Sequence, residues 1–196
     1  MDDAVYQYQH ARSPKELLFQ FTRCMVHFAV DDAQVKFCTR LQGKESWFLP
    51  FNKGYKDGAG NPPNPDGLMT DYLWKQVLTK DMLSRIIENY ATLVEEKDEE
   101  TGKTRYKQIF PRYHQLTAVE SLLADVKKNG VGNRYLIQHS AGSGKSNSIA
   151  WLAHQLTGLE DAQGNLLVDS VIVVTDRVVL DKQIRDTIRQ FAQTRN

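Results

Sequence analysis

Eight residues in the second half of the chain have the types and spacing of a phosphate-binding loop: His139-Ser-Ala-Gly-Ser-Gly-Lys-Ser146. Polyphosphate oxygens need several donors that converge on a small volume. Glycine and serine let successive N–H groups point inward without a side-chain clash. A following helix adds free N–H groups and the positive end of its dipole.

This pattern predicts an ATP and Mg²⁺ site. Lys145 would reach the β and γ phosphates, and the Ser146 hydroxyl would ligate the metal, so we assign both as catalytic. The other predicted phosphate-binding residues are Ser140, Ala141, Gly142, Ser143 and Gly144. His139 replaces the first glycine of the usual G-x-x-x-x-G-K-[ST] pattern, and we expect it to position the loop. The alternative is a plain strand-to-helix turn.

Two weaker features flank the loop. Arg112-Tyr-His-Gln115 opens the preceding helix, where an aromatic ring or arginine could stack on a base and the Gln115 amide could pair with adenine. Thr175-Asp-Arg177 follows an apolar run, where ligands of open α/β sheets bind. Thr175 and Arg177 are therefore candidate contacts to a DNA backbone. The structural alternative for Arg112–Gln115 is an exposed helix start, and the alternative for Thr175–Arg177 is a loop that caps the next helix.

The elements around these residues alternate between helix and strand. An apolar stripe follows Pro111 and ends at Gly130, and further helices are predicted at Ser146–Thr157 and Val178–Ala192. Short apolar runs predict strands at Arg134–Gln138 and Val171–Val174. This rhythm is typical of a parallel α/β sheet.

The first half of the chain has a different pattern. Strands are predicted at Phe19–Val30 and Val35–Leu41, with Trp47-Phe-Leu49 continuing the sheet until Pro50 interrupts it. Gly54–Gly67 is a loop rich in glycine and proline. Helical spacing begins near Thr70, and a second helix is predicted at Lys80–Val94. The charged run Glu95–Lys107 predicts an exposed hairpin tip or linker at a domain boundary, or else a charged partner-binding segment.

Composition excludes several classes of protein. The formal net charge is +1, so DNA binding would depend on local contacts. The chain has no run of 18 apolar residues, so no membrane span is predicted. The start of the chain lacks the features of a signal peptide. Cys24 and Cys38 lie in strand-like segments and predict free thiols. These features are typical of a cytoplasmic protein.

Six segments together resemble the R subunit of type I restriction–modification enzymes. Three surround the predicted site: Phe110–Val119, Gln138–Asn147 and Val173–Asp181. Three lie in the first half: Phe48–Gly54, Gly58–Pro63 and Tyr72–Trp74. The resemblance implies an ATP-driven translocase of double-stranded DNA that carries an endonuclease and works with methyltransferase (M) and specificity (S) subunits. Gln115 would then belong to its adenine-reading motif.

The resemblance also implies a domain plan. Residues 1–55 would be the C-terminal part of an α+β nuclease domain, 56–108 a loop and helical linker, and 109–196 the start of a RecA-like motor domain with parallel strands. Its nuclease carboxylates and Walker B acid have no match, so we expect an internal fragment that neither hydrolyses ATP nor cuts DNA alone. The alternatives are another superfamily 2 helicase or P-loop ATPase, and a non-catalytic nucleotide-binding module.

Overall fold

The computed structural model describes residues 1–56, 58–97, 102–176 and 184–189. The chain divides into two compact units, Met1–His114 and Gln115–Asn196. The described residues confirm a mixed α/β protein, and the sheets that they form are small and antiparallel. Among them, no helix has the length and apolar character needed to cross a membrane.

The first unit is built on a three-stranded antiparallel sheet. Helix α1 (Asp2–His10) precedes strands β1 (His27–Val30), β2 (Val35–Cys38) and β3 (Leu49–Pro50), with β2 in the centre. The Asp31 carboxylate accepts N–H bonds from Ala33 and Gln34, which closes the tight turn between β1 and β2. Alternate residues of β2 are apolar, and Val35 and Phe37 are buried.

Three predictions in this region need correction. Residues 19–26 are not in a strand, and Phe19 instead ends a short 3-10 turn, Leu17–Phe19. Cys24 therefore lies in a loop, although both cysteines are free thiols as predicted. Pro50 does not interrupt the sheet but pairs with Lys36. A proline is tolerated there because β3 is an edge strand, whose outer side needs no N–H donor.

Phe51 is the centre of the first unit's aromatic core. Its ring centroid lies 5.4 Å from that of Phe28, 5.7 Å from that of Phe37 and 6.3 Å from that of Phe110. The buried Tyr72 hydroxyl donates a 2.7 Å hydrogen bond to the Phe51 carbonyl oxygen. Aromatic residues far apart in sequence thus hold the sheet and the later elements of this unit together.

The loop that follows β3 is held by two asparagines. The Asn52 Oδ1 atom accepts bonds from the Val35 N–H at 2.8 Å and from Asn61 Nδ2 at 3.0 Å. Asn61 also donates to the Ala33 carbonyl and accepts from the Lys53 N–H. These bonds satisfy backbone groups that a chain rich in glycine and proline cannot pair within a regular element.

Helices and a hairpin complete the first unit. A five-residue π-helix, Leu73–Val77, stands where a helix was predicted to begin near Thr70. Helix α2 spans Lys80–Asn89 and is shorter than predicted, because Val94 belongs to strand β4 (Thr92–Lys97). Strand β4 pairs antiparallel with β5 (Thr104–Ile109), so the charged run predicted as a hairpin tip or linker belongs to a hairpin. Glu95–Lys97 and Thr104–Lys107 lie in its strands and not in its tip, and 98–101 lie outside the described residues.

The second unit contains two long helices. Helix α3 (Tyr113–Asn129) contributes Leu116, Val119 and Val126 to the core, and α4 (Lys145–Leu156) contributes Ala150 and Trp151. Residues 184–189 are also helical. The remainder of the helix predicted at Val178–Ala192 lies outside the described residues.

The predicted parallel strands are not present in the described residues. Arg134–Gln138 and Val171–Val174 carry no strand pairing. Their apolar side chains are exposed to solvent, with Leu136 at 93%, Ile172 at 84% and Val174 at 86%. A strand exists only through hydrogen bonds to a neighbouring strand, so an apolar run predicts one only when a partner is in place.

Candidate phosphate-binding site

Two glycines shape the loop that precedes α4. Gly142 has φ 71° and Gly144 has φ 81°, a region that residues with a Cβ rarely adopt. Gly144 is the N-cap of α4, and no side chain caps the helix. The Gly144 carbonyl oxygen accepts the N–H of Asn147 at 3.1 Å, which starts the helix directly at Lys145.

The Lys145 side chain turns back over the loop. Its ammonium nitrogen donates to the carbonyl oxygen of Ser140 at 2.8 Å and to that of His139 at 3.3 Å. The charge therefore lies at the mouth of the loop and remains exposed to solvent. These carbonyl partners are neutral, so an anionic phosphate oxygen could replace them as a stronger acceptor.

Gln115 lies against the loop backbone. Its side chain is 3% exposed, and Nε2 donates a 2.8 Å hydrogen bond to the Gly144 carbonyl oxygen. A Cβ atom at Gly144 would come within 2.5 Å of this nitrogen. Gln115 therefore positions the last turn of the loop. The sequence predicted a different role for this residue, the recognition of adenine, and gave no sign of this one.

The first turn of α4 offers donors for an anion. In the part of the chain that the structure describes, the N–H groups of Lys145 and Ser146 have no backbone acceptor, as expected at a helix N-terminus. The Ser146 hydroxyl stands one residue into the helix, where it could reach a metal ion held on the phosphates.

These features fit a nucleotide phosphate chain and its Mg²⁺. The loop combines two left-handed glycines, free helix N–H groups and the Lys145 ammonium, and a Cβ at Gly144 would collide with the side chain that supports the loop. Ala141 and Gly142 are exposed, whereas Ser143 is buried. The described residues contain no group of three or more His, Cys, Asp or Glu side chains placed to hold a metal ion. A metal at this loop would therefore rely on the hydroxyl and the phosphates.

An apolar pocket of about 120 Å³ lies beside the loop, between α3 and α4. Val119 and Leu122 form its α3 side, Ile149 and Leu152 its α4 side, and Lys145 stands at its edge. The residues on each helix recur at a spacing of three or four, so they share one face. The pocket is therefore lined by one apolar face of each helix.

A polar cluster that no sequence motif indicated lies on the segment before the loop. The Asp125 carboxylate accepts bonds from Tyr135 at 2.5 Å, Asn129 at 2.8 Å and Asn133 at 3.3 Å. The bond from Tyr135 lowers the pKa of the Asp125 carboxyl and raises the pKa of the tyrosine. The cluster ties the end of α3 to the chain that leads into the loop.

The candidate DNA contacts are not part of this arrangement. Thr175 is half-buried and lies outside any helix or strand, and Arg177 lies outside the described residues. The structure therefore brings together Gln115, Gly144 and Lys145 from the predicted site. The two predicted DNA contacts remain predictions.

Comparison with protein families gives one match. Residues 114–196, less than half of the chain, match the model of the SWI2/SNF2 ATPase family. The matched stretch includes most of α3, the whole loop and α4. Searches of curated proteins and of solved structures gave no match. The match supports a superfamily 2 helicase-like ATPase region over these residues.

The match supports an ATP-dependent, helicase-like role in general terms. The family implies the use of nucleotide and interaction with nucleic acid. The loop at the start of α4 is the part of the matched stretch whose geometry suits that chemistry.

Proposed function

We propose that this chain is part of the R subunit of a type I restriction–modification enzyme. The observation that carries the proposal is the placement of Lys145 at the mouth of a glycine-shaped loop that opens α4. The superfamily 2 match supports the ATPase part of the proposal. The sequence resemblance, which extends through the first unit in Phe48–Gly54 and Gly58–Pro63, supports the restriction enzyme part.

In this proposal the chain follows the division expected from the sequence. Residues 1–55 belong to the nuclease domain, 56–108 link it to the motor, and 109–196 belong to the RecA-like motor domain. The partners are double-stranded DNA and the M and S subunits. Thr175 and Arg177 contact the DNA backbone.

ATP supplies the high-energy phosphate bond whose hydrolysis drives such a motor. This chain's own contribution is binding and orientation. Lys145 would exchange its two carbonyl acceptors for phosphate oxygens, and the N–H groups of the first turn of α4 would donate to the same group. Gln115 keeps the loop in this shape, and Ser146 would hold the metal. The loop residues Ser140, Ala141, Gly142, Ser143 and Gly144 would surround the phosphates.

Titration with a fluorescent ATP analogue in the presence of Mg²⁺ tests the nucleotide site. Lys145→Ala should weaken binding about ten- to hundredfold, since a hydrogen bond to a charged group contributes about 1.5–3 kcal/mol. Ser146→Ala should remove most of the Mg²⁺ dependence. Lys128→Ala, which changes another exposed lysine of the second unit, should bind as the unchanged chain does. Equal affinity in all three variants would contradict the assignment of the site.

Complex formation tests the restriction enzyme part. The chain is mixed with a purified complex of M and S subunits from the same genome, and co-migration is followed by size-exclusion chromatography. We expect a joint peak that persists in Lys145→Ala, because docking does not require nucleotide. A chain that binds ATP but never associates with these subunits would reject the type I assignment and leave the nucleotide site intact.

The second candidate is a superfamily 2 helicase or P-loop ATPase outside restriction systems. The match to the SWI2/SNF2 ATPase family favours it as a class, because that match carries no restriction-specific feature. A non-catalytic nucleotide-binding module is a third candidate. Nucleotide binding without association with M and S subunits favours the second candidate when DNA raises the affinity for ATP. It favours the third when DNA has no effect.

A further inference from the structure

A groove of about 400 Å³ lies within the first unit. One wall follows the end of β2 and the residues before β3, and the other wall is formed by the β4–β5 hairpin. The volume falls in the range of roughly 300–1,000 Å³ that is usual for ligand pockets. Its walls combine aromatic and charged side chains: Arg40, Trp47, Glu96, Arg105, Tyr106 and Lys107.

Two of the aromatic side chains that line this groove are exposed to solvent. Trp47 is 76% exposed and Tyr106 is 50% exposed, and they come from opposite walls. An exposed tryptophan contributes little to the core, yet it presents a large flat face with little loss of conformational freedom on binding. Two such faces on one groove suit a ligand that has flat rings of its own.

Among the described residues, the charged side chains that line the groove carry an excess of positive charge. Three are cationic, Arg40, Arg105 and Lys107, and one is a carboxylate, Glu96. The Lys107 ammonium lies 3.3 Å from the Glu96 carboxylate, but both side chains are more than half exposed, so this pair is weak and exchangeable. The groove is therefore complementary to an anionic ligand.

Arg40 is already held in place for such a ligand. Its guanidinium carbon lies 4.7 Å from the centroid of the Phe21 ring, a cation–π contact that limits the side chain's freedom. Within the described ranges, no carboxylate pairs with Arg40. An arginine fixed on one face by a ring and open to solvent elsewhere is suited to a phosphate.

We propose that this groove binds a single-stranded segment of nucleic acid. Trp47 and Tyr106 stack on bases, while Arg40, Arg105 and Lys107 contact the phosphates. Stacking platforms beside a cationic track are the usual means by which proteins bind single strands without sequence preference. A duplex fits less well because its bases are already stacked on each other. An acidic peptide would use the cations but not the exposed rings. The site is independent of the nucleotide loop and of the function proposed above.

Fluorescence anisotropy with a labelled oligothymidylate of about ten nucleotides tests the proposal on the whole chain. Trp47→Ala should weaken binding roughly 5- to 100-fold, the range found when one stacking side chain is removed. Arg40→Ala should weaken binding and reduce the salt slope by about one. Trp74→Ala changes a tryptophan that is 45% exposed and does not line the groove, and Arg23→Ala changes another exposed arginine. Both controls should bind as the unchanged chain does.

Further measurements distinguish oligonucleotide binding at this groove from binding elsewhere on the chain. Lys145→Ala should leave oligothymidylate affinity unchanged, because the nucleotide loop does not take part. Unlabelled duplex and polyglutamate should compete poorly. Tyr106→Ala, on the opposite wall, is a second test in case Trp47→Ala lowers the melting temperature. The proposal is overturned if both aromatic variants bind normally, or if polyglutamate competes as well as unlabelled oligothymidylate.

Discussion

Replacing Gly144 by alanine should destabilise the second unit through two separable effects. The first is backbone strain, because Gly144 has φ 81° and a residue with a Cβ pays about 1–2 kcal/mol in that region. The second is a collision, because the new Cβ would lie 2.5 Å from Nε2 of Gln115. Gln115 must then move and lose its 2.8 Å bond to the Gly144 carbonyl, at a cost of about 0.5–1.5 kcal/mol.

A matched control isolates the collision. Gly142 lies in the same loop with φ 71°, but a Cβ at this position would meet nothing within 4 Å. Gly142→Ala should therefore cost only the strain, about 1–2 kcal/mol. The two alanine variants should differ by about 0.5–1.5 kcal/mol in the free energy of unfolding, measured by urea denaturation.

The Gln115→Ala background completes a double-mutant cycle. Without the long side chain there is no collision, so Gly144→Ala and Gly142→Ala should then cost the same amount. The excess cost in the unchanged background measures the contact between Gln115 and the loop. If Gly144→Ala costs no more than Gly142→Ala when Gln115 is present, the view that Gln115 positions the loop is refuted.

Three further outcomes are expected in the first unit. Burial lowers the pKa of His27 below 6.5, so unfolding takes up a proton, and the free energy of unfolding should fall as pH drops below 6.5. His27→Phe should abolish this dependence in urea titrations on either side of that pH. Tyr72→Phe should cost about 1–3 kcal/mol by leaving the buried Phe51 carbonyl without its donor, and a change near zero would contradict this. Ile86→Ala, at a fully buried position, should lower the free energy of unfolding by about 2–5 kcal/mol. Ile87→Ala, at a position 51% exposed, should cost about 0.5 kcal/mol or less, and similar costs would contradict the orientation of α2.

The two candidate ligand sites differ in how they are built. The loop at α4 depends on main-chain geometry, so its key positions are glycines and the first residues of a helix. The groove of the first unit depends on side chains from the segment between β2 and β3 and from the β4–β5 hairpin. Nucleotide binding at the loop and oligonucleotide binding at the groove should therefore respond to separate sets of substitutions.

Local signals in the sequence were reliable where neighbours along the chain decide the structure. The helices predicted from Pro111 and at Ser146–Thr157 correspond to α3 and α4 within two residues at each end. The hairpin of the charged run and the pairing of β1 with β2 were also indicated. In each case periodicity or a turn residue acts over a few positions.

Distant contacts could not be predicted in the same way. The bond from Gln115 to Gly144 joins residues 29 positions apart, and the position of Gln115 in the sequence favoured a different partner. The walls of the groove bring Trp47 together with Tyr106, yet the segments that hold them carry no shared motif. The apolar runs at Arg134–Gln138 and Val171–Val174 were predicted as strands from local propensity alone. No neighbouring strand pairs with them in the described residues, so their side chains are exposed.

The amino-acid sequence by itself determined that a glycine-rich loop stands before an amphipathic helix, with a lysine and a serine at its first positions. That follows from backbone freedom at glycine and from helix periodicity, which are properties of a few consecutive residues. Only the tertiary structure decided that Gln115 supports the loop, that Phe51 centres the aromatic core and that Trp47 and Tyr106 face one groove. Those pairings depend on how the chain packs over long separations in sequence, where shape and burial rather than local propensity select the partner.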